Sequence, residues 1–314
     1  MAAIAKSLTR AYYIATDSVL GICTRLGIGS FGSGKRHQRY SAEKSADYAE
    51  WYVGLFEQLL SGPNAYRGDV CELGPGDSLA GGYLMRARGA DSVTFFERFQ
   101  SHHDREKELQ VAQILKEREE KRTGKAALPS EAIATTYDAF RLVQGVPAED
   151  HLRVDDSEYD LILSNSVLQH VLDPMPLLEL CYERLRPGGR MLHVIDLRCL
   201  GLFKSWGELA WLQTSPACHR MMVQNTGRPN RIRFNQYREW AENSGAEYEF
   251  LIRHLVGTNK ALGDIPPESV PEPAWNVARQ LVESERPKFC PELRSISIDD
   301  HCVATFLLCI TKPI

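Results

Sequence analysis

Three things are missing from this 314-residue sequence: a C-x-x-C pair among its eight cysteines, a surplus of basic charge, and a long uninterrupted apolar run. The cysteines stand at 23, 71, 181, 199, 218, 290, 302 and 309, several of them inside apolar runs where a thiol acts as a small hydrophobe. That pattern excludes a disulfide scaffold and suits a reduced, cytoplasmic protein. The net charge of -4 supplies no general electrostatic attraction to a polynucleotide, so a nucleic-acid partner is not expected. No window approaches the roughly eighteen apolar residues of a spanning helix, and the N-terminus lacks a secretory apolar core. What is present is an ordinary globular composition, 43% hydrophobic, enough for one large α/β domain with additions or two modest ones.

The first forty residues are locally different. Lys6, Arg10, Arg25, Lys35, Arg36 and Arg39 face a single acid, Asp17, and Ile4, Leu8, Tyr12, Val19, Ile22 and Leu26 recur at helical spacing. Two readings stand: a membrane-surface or transit helix giving weak membrane contact, or a helix covering the mouth of the domain, followed by a flexible Gly/Ser-rich linker at 27–34.

Along the rest of the chain, Tyr48, Trp51, Tyr52, Leu55, Leu59 and Leu60 predict a helix over 41–60, stopped by Ser61-Gly62-Pro63. Apolar runs then alternate with helical stretches, the order of a mostly parallel sheet. Strands are expected at 69–73, 93–96, 159–164 and 190–197, with 140–144 preferred over 133–137 for the third. Residues 104–125, dense in charge, predict a long solvated helix burying only Leu109, Val111, Ile114 and Leu115. Residues 248–255 and 303–310 predict a late hairpin-like pair. Between them and the fifth strand, 199–234 has no clear period and reads as a lid or substrate-covering insertion, and Pro-rich 264–273 as an extended connection. The implied organisation is an N-terminal helical extension over 1–62 and an α/β domain over 63–314, with the lid at about 199–234.

Glu72-Leu73-Gly74-Pro75-Gly76-Asp77-Ser78 leaves the first strand as a Gly-rich turn, where a ligand can approach the backbone and the next helix offers unpaired N–H groups. A dinucleotide site requires a third glycine for close helix packing, and that position holds Leu79. The Glu72-x-Gly74-x-Gly76 pattern resembles motif I of the class I S-adenosylmethionine-dependent methyltransferases. The resemblance implies a Rossmann-like, mostly parallel seven-stranded sheet with helices on both faces and an antiparallel C-terminal strand. It also implies that Glu72 and the glycines surround the amino-acid end of the cofactor. A carboxylate there suits a cationic ligand and repels a pyrophosphate.

By the same resemblance, Glu97, followed by Arg98, matches the acid that holds the ribose hydroxyls, although a nicotinamide enzyme also places an acid there. Ala148-Glu149-Asp150 fits the adenine slot, with Pro147 where relatives often carry Asp and Asp138 as a second choice. Tyr159-Asp160-Leu161-Ile162-Leu163-Ser164-Asn165-Ser166-Val167-Leu168-Gln169-His170 is similar to the family's motif IV segment, and Leu185-Arg186-Pro187-Gly188-Gly189-Arg190 to its helix-turn-strand. The resemblance spans roughly residues 68–198.

The candidate cofactor set is therefore Glu72, Gly74, Pro75, Gly76, Asp77, Ser78, Glu97, Arg98, Ala148, Glu149, Ser164, Asn165 and Ser166. Methyl transfer needs the acceptor positioned, and a base if the acceptor is a hydroxyl. His170 is the first candidate for that base and His193 the second, with Asp196 and Arg198 nearby; a packed or capping histidine is the alternative in each case. Gln169 stands where some relatives direct an acid to a metal, so no metal site is expected. Arg228, Arg231 and Arg233 could bind an anionic acceptor or form a solvated positive loop. The sequence thus points to S-adenosylmethionine-dependent methylation, most readily at oxygen, of a small-molecule or glycan-like acceptor in biosynthesis. A catalytically altered binding subunit and a nicotinamide-dependent dehydrogenase are the alternatives.

Overall fold

The computed structural model describes residues 2–26, 40–60, 65–101, 103–124, 132–200, 203, 206–225, 227–258 and 260–314. The stretch at 27–34 and Ser61-Gly62-Pro63 lie outside them. In chain order come α1 (Ala2–Arg25), α2 (Ala42–Leu60), β1 (Gly68–Leu73), α3 (Ala80–Ala87), β2 (Ala90–Glu97), α4 (Arg105–Thr123), α5 (Ala132–Ala139), β3 (Arg141–Gln144), α6 (Ala148–Leu152) and β4 (Tyr159–Asn165). Then follow α7 (Pro174–Glu183), β5 (Leu185–Asp196), α8 (Pro216–Val223), α9 (Phe234–Asn243) and β6 (Glu247–Leu255). The chain ends with α10 (Glu272–Glu285), α11 (Pro291–Arg294), α12 (Ile298–Cys302) and β7 (Val303–Thr311).

The strands form one seven-stranded sheet in the order β3-β2-β1-β4-β5-β7-β6. β1 runs parallel to β2 and β4, β2 parallel to β3, and β7 antiparallel to β6. The architecture is the Rossmann-like α/β sheet that the motif order implies. The chain divides into two compact units, one of Gly32–Asn165, Glu179–Leu192 and Lys312–Ile314, the other of Met1–Phe31, Ser166–Leu178 and His193–Thr311.

In the first unit, Val70, Cys71 and Leu73 of β1 and Leu161, Ile162 and Leu163 of β4 are buried, as parallel strands covered on two faces must be. The register pairs Glu72 with Phe95 and Leu73 with both Phe96 and Ser164, so the carboxyl ends of β1, β2 and β4 finish level. α2 turns Ser45, Ala49, Tyr52 and Phe56 inward against α3 and α4.

One expectation is met and two need correction here. Of the two candidates for the third strand, 141–144 pairs with β2, while Ala132–Ala139 is helical. α4 is not simply a wet helix: it buries Glu108 and Glu119 along with Val111, Ala112 and Leu115. Glu119 is held by the buried Arg88 guanidinium at 3.1 Å, and Arg88 also reaches Glu57 at 2.8 Å, so the burial of these charges is compensated by pairing. Finally, β5 starts at Leu185, because the Gly188-Gly189 segment pairs with the chain end: the Gly188 N–H donates to the Lys312 carbonyl and the Lys312 N–H to the Gly189 carbonyl, both at 2.9 Å.

In the second unit, β6 and β7 pair antiparallel but are not a hairpin, since α10, α11 and α12 lie between them. Residues 264–273 are more structured than an extended connection: Ile265 bridges Ile252, a 3-10 turn spans Pro267–Ser269, and α10 begins at Glu272 with a proline in its first turn. The segment 199–234 carries α8 and a 3-10 turn at Ala210–Gln213, and buries Trp211, Leu212, Met222 and Val223.

Candidate cofactor and catalytic site

β1 delivers Glu72 to the carboxyl edge of the sheet. The chain then turns at Gly74 (φ 67°) and Gly76 (φ 75°), a left-handed backbone that side chains with a Cβ resist. The Gly74 N–H donates to the Phe96 carbonyl at 2.7 Å and the Gly76 N–H to Oε2 of Glu97 at 3.1 Å. The other Glu97 oxygen accepts from the Phe99 N–H at 3.0 Å. Glu97 thereby ties the loop after β1 to the loop after β2. Burial raises its carboxyl above the ordinary value, and these two bonds to the charged form oppose the rise.

Glu72 is 5% exposed, and burial lifts its carboxyl to about 8. The opposing influence is one hydrogen bond, donated by the Tyr52 hydroxyl at 3.3 Å. One helical turn earlier on α2, the Tyr48 hydroxyl accepts from Nδ2 of Asn165 at 3.1 Å. These side chains, with Gly74 and Gly81, enclose a cavity of about 20 Å³. A Cβ on Gly81 would overlap the Tyr52 hydroxyl, so this glycine is what lets the tyrosine reach Glu72.

Pro75 and Ser78 line the same cavity, and Asp77 and Ser78 are both buried. Glu108, reaching over from α4, accepts from the Leu79 N–H at 3.1 Å and from the Ser78 hydroxyl, which caps the start of α3. Burial pushes Glu108 up to about 7. Arg98 lies half-buried with its guanidinium 5.3 Å from the Phe99 ring centre. Ala148 and Glu149 are half-buried in the first turn of α6. Ser164 is fully buried at the end of β4. Thus Glu72, Gly74, Pro75, Ser78 and Asn165 share one cavity, Gly76 and Glu97 are bonded to each other beside it, and Arg98, Ala148, Glu149 and Ser164 do not line it.

The remaining candidates belong to the other unit. Ser166 holds a left-handed φ of 61°, a strained conformation for serine, with its N–H donated to the Val194 carbonyl at 2.9 Å. His170 closes a 3-10 turn and is half-buried, its Nδ1 hydrogen-bonded to the Gly227 carbonyl. The same turn is held by Asn230, whose Nδ2 donates to the carbonyls of Leu168 at 2.9 Å and Val171 at 2.7 Å. Gln169 accepts from the Asp196 N–H through its side chain at 3.4 Å, and its backbone carbonyl accepts from the Asn230 N–H at 2.7 Å. His193 is fully buried on β5, which pushes its imidazole down to about 3 and keeps it neutral. Asp196 is paired with Arg198 at 2.6 Å.

The three arginines of 228–233 do not form a solvated loop. Arg228 donates to the carbonyls of Tyr13 and Met222 and to the Thr16 hydroxyl, Arg231 to the Thr214 carbonyl, and Arg233 to the carbonyls of Leu197, His301 and Val303. Their forks serve the backbone. The residues that sequence reasoning passed over are Tyr48, Tyr52 and Glu108. The four-residue spacing of the tyrosines placed them on one helix face, but nothing local said which carboxylate that face meets.

A buried carboxylate on which no basic side chain acts among the described residues fits the cationic amino-acid end of S-adenosylmethionine. Among the described residues no three His, Cys, Asp or Glu side chains gather as a ligand set for a metal. A family profile described as a methyltransferase domain matches residues 47–249, about two thirds of the chain, and the chain belongs to that family. It is a methyltransferase whose cofactor is S-adenosylmethionine.

No curated protein matches the chain. Among solved structures it is similar to the YcgJ protein of Bacillus subtilis, at 13% identity over 85% of this chain and 99% of that one, TM-score 0.42. It is also similar to phosphoethanolamine N-methyltransferase 2 of Haemonchus contortus in complex with S-adenosyl-L-methionine, at 16% identity over 92% and 61%, TM-score 0.42. An arsenic(III) S-adenosylmethionine methyltransferase of Chlamydomonas reinhardtii matches at 18% identity over 77% and 62%, TM-score 0.35.

Proposed function

We propose that the protein methylates an oxygen of a small-molecule or glycan-like acceptor, with Glu72 and the Gly74-Pro75-Gly76 turn holding the cofactor and His170 removing the acceptor proton. When bound, S-adenosylmethionine supplies an electrophilic methyl group on a cationic sulfonium.

The observation that carries the cofactor assignment is Glu72, a carboxyl group in the interior whose charged form has no counter-ion among the described residues. Asp77 and Ser78 shape the loop. Glu97 presents a carboxylate whose oxygens, each bonded to one N–H, retain lone pairs for the ribose hydroxyls. Arg98, Ala148, Glu149, Ser164, Asn165 and Ser166 complete the proposed set. The cavity of about 20 Å³ between Glu72, Asn165, Tyr48 and Tyr52 has room for about one water.

What supports His170 as the base is its tautomer. A carbonyl can only accept, so Nδ1 carries the proton toward Gly227 and Nε2 of the neutral ring holds the lone pair. A base of this kind is needed for a hydroxyl acceptor, whose neutral oxygen is a weak nucleophile and must shed its proton, and not for an unprotonated amine or a thiolate. His193, neutral and enclosed, takes the secondary role of packing beneath the strand end. Recognition of the acceptor falls to residues 199–234, supported by the bonds from Gly227 and Asn230 to the His170 turn.

Titration calorimetry with S-adenosylmethionine, S-adenosylhomocysteine and NAD tests the cofactor assignment; binding of the first two and not the third is expected, and NAD binding alone would overturn it. Methyl-labelled cofactor offered with hydroxyl, amine and thiol acceptors tests the target atom. Label recovered only as a methylamine or thioether would refute the oxygen assignment.

A further inference from the structure

Helix α1 is turned inside out. In a surface helix the apolar stripe normally faces the core and the polar residues face water. At about 100° per residue, Leu8, Tyr12, Ala15, Val19, Ile22 and Leu26 fall within an arc of roughly 80°. All six are exposed, the five large ones between 57% and 66%.

The opposite face carries the polar groups, and those are the ones engaged with other segments of the same unit. Asp17 is completely buried and accepts from the Asn225 N–H at 3.1 Å and from its Nδ2 at 2.8 Å. Lys6 donates to Gln213 at 3.0 Å and lies 5.4 Å from the Trp206 ring centre. Arg228 donates to the Thr16 hydroxyl at 2.9 Å and sits over the Tyr13 ring. A Cβ on Gly21 would collide with Asn225, so the two segments are in close contact. These bonds fix the rotation of the helix and hold its apolar stripe toward the outside.

We propose that this stripe is a docking surface for an anionic lipid bilayer, on which α1 lies in the plane of the interface. The observation that selects a membrane is charge. Asp17, the sole acid among residues 1–41, is buried and hydrogen-bonded on the opposite face, so it adds no negative charge to the stripe, and Arg25 stands exposed at its edge; by sequence the same stretch holds Lys6, Arg10, Arg25, Lys35, Arg36 and Arg39. The exposed flanks of the stripe hold Ser7, Ala11, Ser18 and Arg25 and no acid. A parallel pairing of two copies along this stripe would set Arg25 against Arg25 with no opposite charge to fix the register. An apolar face bordered by small residues and an arginine, free of acids and with a tyrosine within it, suits a helix at a lipid headgroup boundary. No helix among the described residues is long and apolar enough to cross the membrane, consistent with surface docking.

The full chain is mixed with vesicles of phosphatidylcholine alone or phosphatidylcholine with phosphatidylglycerol, and sedimented. Partitioning onto the mixed vesicles is expected to exceed that onto the neutral ones by about tenfold and to weaken with added salt. Leu8→Glu with Ile22→Glu removes it while leaving cofactor binding and the melting temperature unchanged, because both side chains are exposed; Leu8→Ser with Ile22→Ser repeats the test without new charge. The proposal is overturned if the chain does not sediment with anionic vesicles, or if both double variants sediment as the parent does. It is equally overturned if light scattering shows a dimer that either double variant converts to monomer, which assigns the stripe to a second copy of the chain.

Discussion

The Tyr52 hydroxyl donates to the Glu72 carboxyl group across 3.3 Å, joining α2 to the end of β1 at the small cavity that both line. The ionisable groups that act with Glu72 are Tyr52, Tyr66 and Cys71, all held in their neutral forms by burial, and no cation is among them in the described residues. With its carboxyl at about 8, Glu72 carries a proton at neutral pH. A cationic ligand favours the carboxylate, so binding expels that proton. Cofactor affinity is therefore expected to rise with pH by up to about tenfold per unit and to level off above about 8. Calorimetry at pH 7 in buffers of different ionisation enthalpy should count nearly one proton released; equal apparent enthalpies in all buffers would disprove the linkage.

The same shift governs the stability of the cofactor-free protein. The ordinary value of 4.5 describes Glu72 in the unfolded chain, and about 8 describes it in the native state, so the folded form holds the extra proton between them. The stabilisation is complete below about 4.5 and lost as pH rises through about 8. Glu72→Gln has no proton to lose. It is expected to exceed the parent in stability at alkaline pH by on the order of a few kcal/mol, to approach it in acid, and to lose cofactor binding. Urea unfolding at several pH values checks this; parallel profiles for the two proteins would count against a protonated Glu72.

His170 has two separable roles, base and anchor to the Gly227 carbonyl. His170→Ala removes both, and turnover should fall by about a hundredfold or more if a proton is transferred in the slow step. His170→Asn keeps an N–H donor for the carbonyl without supplying a base. If the asparagine variant is as slow as the alanine one and both lose the acidic limb of the pH–rate profile, His170 is the base. Recovery of rate with asparagine would make it a positioning residue.

The contrast between what sequence showed and what only structure showed has a physical origin. β1, β2 and β4 are continuous apolar runs ending at Glu72, Glu97 and Ser164, and buried parallel strands carry their own signature, so the sheet edge and the Gly74-Pro75-Gly76 turn were legible residue by residue. Periodicity in α1, α2 and α4 told which side chains share a face but not where that face points. Hence Tyr52 over Glu72, separated by 20 residues, and Glu108 at the start of α3, 29 residues beyond Leu79, needed three-dimensional contact to be found. A charged helix reads as solvated, yet Glu108 and Glu119 are buried because a helix start and Arg88 compensate them. In α1 the ordinary expectation of apolar side inward is reversed by Asp17, Lys6 and Thr16, whose polar partners arrive from residues more than two hundred positions away.

Arg233 illustrates most sharply how a sequence-level binding candidate becomes a structural member. Its guanidinium is fully buried, and it donates to the Leu197 carbonyl at 2.8 Å and to the His301 and Val303 carbonyls at 3.2 Å each. It thereby links the end of β5 to α12 and the start of β7. Burial lowers it to about 10, which leaves it charged at neutral pH, with carbonyl dipoles supplying the stabilisation that a carboxylate normally gives. Arg233→Met would keep most of the volume but leave three carbonyls in the interior without donors, at an expected cost of about 3 kcal/mol or more. Arg233→Lys should recover only part of that loss, since an ammonium on a shorter reach cannot reproduce a planar fork spanning three acceptors. Urea midpoints in the order parent, lysine, methionine, with cofactor affinity unchanged in the lysine variant, are the expected result. If instead the lysine variant unfolds like the parent but loses acceptor binding, Arg233 would return to the binding role that its sequence neighbourhood first suggested.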